Sequence, residues 1–260
     1  MRQPTEKDIE EAKAYLRLRL EAEHSMVRNL ENVMCEAAER IVDILYSAGL
    51  TAEKLAYADL PQRVQWDINA VVDWLNETID DYFLTLAIYD HEENRDTILP
   101  FILGKRHGMT FGERLSDYCG KYRDELLLLV GAGLFLGIGK MALAKSIGEH
   151  LKQPYKNPDL VDGIAAPLTY GRGRTNSMYT AIGALTKFGI GQAWMYDRHL
   201  KAEMESAQGF ITFRNSSYPC EICDEYASYT HPMDDPIPPL HNSCVCGTIY
   251  FNAQGEFIRL

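Results

Sequence analysis

Residues 219–251 read PCEICDEYASYTHPMDDPIPPLHNSCVCGTIYF and hold four of the six cysteines of the 260-residue chain. Two of these cysteines are separated by two residues, and a histidine and the other two cysteines follow after seventeen more. A Cys-x-x-Cys pair turns both sulfur atoms toward one point, and a second cluster can supply the remaining ligands of a tetrahedral zinc ion. The pattern predicts a structural zinc site that uses four of five groups, namely Cys220, Cys223 and His241 together with Cys244 or Cys246.

Two other states of these four cysteines remain open from the sequence. A pair of disulfides would need an oxidising compartment. The first residues, MRQPTEKDIEEAKAY, lack the apolar stretch and cleavage site of a secretory signal. The expected compartment is therefore the reducing cytoplasm. Reduced thiols without a metal are the second alternative, and the spacing favours zinc over both. The other two cysteines, Cys35 and Cys119, stand alone in predicted helices and are expected to be buried small residues.

A catalytic zinc site is a separate hypothesis. Pro219–Cys223 fits the second half of the zinc-deaminase signature, and His91–Glu93 supplies a His-x-Glu for the first half. More than 120 residues separate the two halves, and this combination leaves His241, Cys244 and Cys246 unused. Because four protein ligands leave no open position for water, we predict a structural role for the zinc.

Short segments rich in β-branched and aromatic residues flank the cluster, at Phe210–Phe213 before it and at Thr248–Phe251 after it. Both segments are typical of strands. The tail is too short and polar to form a core of its own, so metal binding is expected to supply its folding free energy. Residues 206–260 are therefore predicted to form a small zinc-stabilised α+β module.

Residues 1–100 have the periodicity of amphipathic helices. Thr5 with Asp8 is typical of a helix start, Gly49 of a helix end, and Pro61 of a second start. These helices are predicted to pack on one another, although so long an acidic helix could also reach a partner. Apolar residues recur in steps of three and four: Met26, Leu30, Val33, Met34, Ala37, Ile41, Ile44 and Leu45 in the first helix, and Ile68, Val71, Val72, Trp74, Leu75 and Ile79 in the second.

Residues 90–112 contain the sequence HEENRD, Pro100 and three glycines, and are predicted to be a joint. Thr110 is placed to start a third helical stretch. Further on, TNSMYTAIGALTKFGIGQAWMYDRHLKAEM is again helical, with Thr175 or Asn176 as its cap. The chain is thus predicted to be mainly α, with long amphipathic helices followed by the zinc module, in three regions: 1–100, 101–205 and 206–260.

The segment VGAGLFLGIGKMALAKSI is rich in glycine but is not a phosphate-binding loop. Met141 follows Gly139–Lys140 where serine or threonine is required, and Leu134 occupies the position of the first glycine. The glycines at Gly133 and Gly137 are instead predicted to let another helix approach closely.

The formal net charge of −11 is unevenly distributed. Residues 1–100 carry −11, residues 101–214 carry +5, and residues 215–260 carry −5. The acidic front disfavours binding of the whole chain to free DNA, whereas the basic middle could face phosphates or an acidic partner. The alternative is a solvated surface on which these charges average out.

Other chemistry is not indicated, and no enzyme activity is predicted. The chain has no nucleophile elbow, metalloprotease helix or dinucleotide fingerprint. The adjacent carboxylates Asp80–Asp81 and Asp234–Asp235 are predicted to be solvated, and the lone His199 and His231 to be surface or structural residues. The apolar run Leu126–Gly139 has 14 residues, fewer than the roughly 20 of a bilayer span, so no membrane partner is predicted.

The tail resembles the C-terminal signature of phage head morphogenesis proteins, the minor head family named for the F protein of phage Mu. That family's tail runs Cys-Pro-x-Cys, a variable loop, and Pro-Pro-x-His-Pro-Asn-Cys-Arg-Cys. Two departures are that no proline follows the histidine, and that Val245 stands at the position of the arginine. The matching residues are Cys220, Cys223, Pro238, Pro239, His241, Asn242, Cys244 and Cys246.

The resemblance covers about residues 105–251. Residues 108–151 look like the helical pair of the family with its glycine turn, and Arg174–Thr175–Asn176 is similar to the Arg-Thr that opens the family's last long helix. The acidic helical front lies outside it.

The resemblance implies a minor head protein of the virion, made in the host cytoplasm, that acts structurally in capsid assembly or in DNA packaging and delivery at the portal vertex. The implied partners are the portal protein and other capsid or scaffold proteins, with packaged DNA as a further candidate. No catalysis is implied. Two alternatives remain: an enzyme or toxin-associated module that modifies nucleotides or nucleic acids, with its activity around Arg172 and Arg174, and a cellular zinc-binding adaptor.

Overall fold

The structure is a computed structural model that describes residues 4–50, 55–106, 108–152, 177–241 and 244–260; of residues 149–152 it describes the backbone alone. The predictions made for Arg172, for the segment Arg174–Thr175–Asn176 and for Asn242 fall outside these ranges.

The described residues form a mainly helical protein with a small antiparallel sheet near the C-terminus, which confirms the predicted fold class. None of the described helices combines the length and the apolar character of a membrane-crossing segment. The helices are α1 (Glu6–Ser47), α2 (Gln62–Ile88), α3 (Arg95–Leu103), α4 (Phe111–Phe135), α5 (Lys140–Lys152), α6 (Met178–Met204) and α7 (Glu221–Tyr226), and the strands are β1 (Gly209–Phe213), β2 (Thr230–Pro232) and β3 (Gly247–Phe251).

Helix α1 begins and ends where the sequence predicts. The amide and hydroxyl of Thr5 donate to Asp8 Oδ2 at 2.9 and 2.6 Å, and the Asp8 amide donates to Thr5 Oγ1 at 3.4 Å. These bonds satisfy amide groups that the first turn of a helix leaves free. Gly49 follows the last turn with φ +63°, the left-handed conformation common after a helix. The predicted apolar stripe is buried except for the half-buried Ile44.

Helix α2 follows Pro61, and its predicted apolar residues are buried except for the half-buried Val72 and Trp74. The segment predicted as a joint contains helix α3, which the sequence analysis missed. Two of its residues, Ile98 and Ile102, are buried although Pro100 lies inside the helix. A nine-residue helix offers few apolar repeats, and the proline and adjacent charges hide them.

Helices α4 and α5 form the predicted helical pair. Thr110 caps α4, since the Glu113 amide donates to Thr110 Oγ1 at 3.1 Å and Glu113 Oε2 accepts from the Thr110 amide at 2.7 Å. A Cβ on Gly133 would collide with the Leu143 side chain, which confirms the predicted close approach. The same prediction for Gly137 is wrong: apart from its chain neighbours, no described residue has an atom within 4 Å of its Cβ position. Gly137 instead adopts φ +69° in the turn, a conformation that glycine adopts without strain.

Residue contacts divide the chain into two compact units. Unit 1 comprises Met1–Met26, Phe83–Gly104 and Ala184–Leu260, and unit 2 comprises Val27–Tyr82 and Lys105–Gly183. Each unit joins segments that lie far apart in the sequence. The predicted regions 1–100, 101–205 and 206–260 divide the chain along its sequence and stay a prediction.

The sheet of unit 1 has the strand order β2-β1-β3, with both neighbours antiparallel. Strands β1 and β3 are the predicted pair, and Phe210 lies opposite Tyr250 between them. Phe210 and Tyr250 form a buried core with Ala202 and Ala207. Strand β2 was missed because it has only three residues and ends in a proline.

A buried carboxyl group marks the start of α6 in unit 2. Glu125 of α4 is 5% exposed, and its Oε2 accepts a hydrogen bond from the Met178 amide at 2.9 Å. Burial raises the pKa of Glu125 from 4.5 to about 7, against the opposing effect of this hydrogen bond. The folded state therefore binds a proton more tightly than the unfolded state at this residue.

We expect Glu125 to make the protein less stable as the pH rises. Because the folded-state pKa is raised, its stabilising contribution is complete below pH 4.5 and is lost as the pH passes through about 7. Glu125→Gln keeps an oxygen that accepts from Met178 but removes the titration. Between pH 4.5 and 8, the free energy of unfolding of the wild type should fall by up to about 3 kcal/mol relative to the variant. Urea unfolding of both proteins measures this; parallel pH profiles would contradict it.

Candidate metal centre

Cys220 and Cys223 lie at the start of helix α7. Cys220 precedes the helix with an extended backbone (φ −149°, ψ 103°), and Cys223 lies in the first turn. The Asp224 amide donates to the Cys220 carbonyl at 2.8 Å, and the Asp224 carboxylate accepts from the Cys220 amide at 3.3 Å. This tight turn brings the two sulfur atoms to one side of the chain.

The other three groups belong to the loop that leads into β3. The Cys244 amide donates to the His241 carbonyl at 2.9 Å. Cys246 is the residue immediately before Gly247, where β3 begins. The position of the cluster is thereby tied to the start of the strand.

The structure brings all five predicted residues together. His241 Nε2 lies 3.2 Å from the sulfur atoms of both Cys220 and Cys223, and the sulfur atoms of Cys223 and Cys244 are 3.7 Å apart. Two sets of three ligand atoms lie within 4.8 Å of one another: Cys220, Cys223 and His241, and Cys223, Cys244 and Cys246. The cluster could hold a metal ion. None of its four cysteines, all of them in the described part of the chain, forms a disulfide.

The cluster is mostly shielded from water. Cys223, Cys244 and Cys246 are buried, and Cys220 is half-buried against them. Thiolates buried together repel one another and lose their hydration, so a cation among them would remove both costs.

Arg19 of α1, which the sequence analysis missed, binds the backbone of the cluster. Its side chain is fully buried, and its two terminal nitrogens donate to the carbonyl oxygens of Cys244 and Cys246 at 3.1 and 3.3 Å. Its Nε lies 3.1 Å from the carboxylate of Glu23, which is also buried. Helix α1 thus holds the Cys244–Cys246 turn through one guanidinium group.

The sequence contains a signal for this contact. Ala12, Leu16 and Met26 share a buried stripe on α1 with Arg19 and Glu23, in steps of three and four. Charged residues are rarely buried unless they are paired. An arginine and a glutamate four residues apart within an apolar stripe therefore indicate a buried ion pair, although not the group that the arginine binds.

The protonation of the cluster is uneven. A hydrogen bond from Cys246 lowers the pKa of Cys244, whereas burial followed by the charge of Cys244 raises the pKa of Cys223. Burial also raises the pKa of Glu23, and Arg19 opposes this effect. The protein's own groups therefore favour one thiolate among the buried sulfur atoms and disfavour a second.

A cavity of about 240 Å³ adjoins the cluster within unit 1. Its polar wall includes His241 and Cys244, one residue from each set of three, together with Glu23, His24 and Lys187. One side of the cluster therefore faces a space large enough for several water molecules.

His91, the first residue of the deaminase-like His-x-Glu, lies in neither set. Its Nδ1 lies 2.9 Å from a carboxylate oxygen of Asp197, and both side chains are buried. The described residues therefore do not assemble the deaminase combination of His91 with Cys220 and Cys223.

The other singled-out histidines are structural, as predicted. His199 Nδ1 lies 3.2 Å from the Tyr250 hydroxyl. His231 is buried between the rings of Tyr226 and Phe210, and its nitrogens face the Tyr226 carbonyl at 2.8 Å and Asp235 at 2.9 Å. Asp235, predicted to be solvated, has a side chain that is 37% exposed, and its carboxylate also contacts His231.

Comparisons with protein-family models, with curated proteins and with solved structures found no match.

Proposed function

We propose that the protein is a structural minor head protein of a phage, in which zinc folds the C-terminal tail and the folded body binds the portal vertex. The observation that carries the proposal is the convergence of the five tail residues, since these residues also carry the resemblance to head morphogenesis proteins. No catalytic role is proposed for the metal.

The donor set suits zinc. Thiolate and imidazole ligands select zinc over the hard cations calcium and magnesium, which prefer oxygen. With Zn–S bonds of about 2.3 Å, sulfur ligands of one tetrahedral ion lie about 3.8 Å apart. The 3.7 Å between Cys223 and Cys244 matches this value, and the 3.2 Å from His241 to each neighbouring sulfur is slightly shorter.

Bound zinc would supply cross-links between the two halves of the tail. Cys220 and Cys223 fix the start of α7, while Cys246 fixes the residue before β3. Arg19 binds the carbonyl groups of Cys244 and Cys246 without any metal, so it links this segment to α1 whether or not zinc is bound. The tail would then be anchored at the metal, at the arginine and along the sheet.

An acidic face of α2 supports the proposed docking on a basic partner. Asp73, Glu77 and Asp81 recur every four residues and are exposed. Like charges at this spacing destabilise an isolated helix by a few tenths of a kcal/mol per pair, a cost that a basic partner would offset. It is a candidate surface for a basic patch on the portal or a scaffold protein.

We expect the triple variant Asp73→Asn, Glu77→Gln, Asp81→Asn to weaken co-purification with the portal protein at least tenfold at low salt. Removal of three charges lowers electrostatic attraction, and the difference should shrink as salt is added. A matched control neutralises three other exposed acidic residues of the described chain, Asp90, Asp96 and Glu205. Equal loss in both variants would contradict docking through this face. No binding of the wild-type protein to portal at any salt concentration would contradict the proposed function.

A further inference from the structure

The five ligand groups are arranged around one sulfur atom. Cys223 belongs to both sets of three, whereas Cys220 and His241 belong only to the first set and Cys244 and Cys246 only to the second. In the first set, His241 Nε2 lies 3.2 Å from the Cys223 sulfur; in the second set, the Cys244 sulfur lies 3.7 Å from it.

A single tetrahedral ion would need a different arrangement. Its four ligand atoms would all lie about 3.8 Å or less from one another. Among the residues that the structure describes, the sets that lie within 4.8 Å of one another have three members, and they overlap only at Cys223. The arrangement has two centres that share a ligand.

We propose that the cluster binds two divalent ions bridged by the Cys223 thiolate. One ion is held by Cys220, Cys223 and His241, and the other by Cys223, Cys244 and Cys246. This inference rests on the proposed function for the metal, and it replaces the single four-ligand site that the sequence favours.

The charge of the cluster supports two ions. Four thiolates with two zinc ions are neutral, whereas one zinc ion held by three thiolates and His241 carries −1 and leaves the fourth cysteine without a metal. Arg19 is paired with Glu23, and Arg214 is paired with Asp224.

The cavity beside the cluster supplies the remaining ligands. An ion with three protein ligands keeps a fourth position for a solvent molecule. His241 of the first set and Cys244 of the second both line the cavity of about 240 Å³, so solvent can approach both ions.

Metal content distinguishes the proposals. The full chain is loaded with zinc and desalted to remove loosely bound metal. The zinc content is then measured by elemental mass spectrometry and divided by the protein concentration. We expect two ions in the wild type, one in Cys246→Ser, one in Cys220→Ser, none in Cys223→Ser and two in the control Cys119→Ala. One ion in the wild type would overturn the two-ion proposal alone. No metal in the wild type would overturn the metal assignment of the proposed function as well.

Cobalt substitution tests the bridge without any variant. Two high-spin Co²⁺ ions that share a thiolate are magnetically coupled, so the paramagnetic resonance signal per cobalt should fall as loading rises from one to two equivalents. A signal per cobalt that stays constant over this range would overturn the bridge.

Discussion

We expect Cys223→Ser to abolish metal binding and to unfold the tail module. Cys223 is the one ligand common to both sets of three, so its loss dismantles the whole cluster. Structural zinc contributes on the order of 10 kcal/mol to the folding of small zinc domains, more than a tail of this size can replace. The segment that follows β1 should then become sensitive to protease, and the backbone amides of β3 should exchange rapidly with deuterium.

Cys119→Ala is the matched control for this variant. Cys119 is also a buried thiol, and burial raises its pKa to about 12, but it lies in α4 and belongs to neither set of three. This change should leave the metal content and the exchange of β3 unaltered, with a cost of about 1 kcal/mol for the lost packing. If Cys223→Ser kept a protected β3, the tail would not depend on the metal.

The second large effect is expected from Arg19→Met. Methionine fills a similar volume but leaves the Glu23 carboxylate buried without its partner and two carbonyl groups without their donor. Breaking a buried pair from one side costs about 3–5 kcal/mol. Urea unfolding should show this loss. The loss should be smaller at pH 5 than at pH 8, because removal of Arg19 raises the pKa of Glu23 further and its protonated form has no charge to bury.

Two further variants test this explanation. Arg17→Met, two residues away on α1, removes an exposed pair with Glu10 and should cost no more than about 1 kcal/mol. The double change Arg19→Met with Glu23→Leu should recover part of the loss, because both buried charges are then gone. If Arg19→Met were no more costly than Arg17→Met, the guanidinium group would not be what holds the Cys244–Cys246 turn.

The helical fold could be predicted because its signals are local. The Thr5 and Thr110 starts and the apolar stripes of α1 and α2 depend on residues within a few turns of one another. Helix α3 and strand β2 were missed because nine and three residues carry too little periodicity. The glycine at Gly137 was misassigned because the sequence does not distinguish a close approach from a left-handed turn.

The convergence of the five tail residues could be predicted because cysteine spacing is specific, but their surroundings could not. Arg19 lies 225 residues before Cys244, and no local pattern connects the two. The division of the ligands into two sets around Cys223 is likewise a property of the folded chain. The sequence alone therefore does not show which residues that are far apart in the chain come into contact.

The bond from Arg19 to Cys246 spans 227 residues. During synthesis, helix α1 leaves the ribosome long before Cys244 and Cys246, so until then the two terminal nitrogens of Arg19 lack the carbonyl groups that they bind. Unit 1 therefore closes only after translation has passed Cys246.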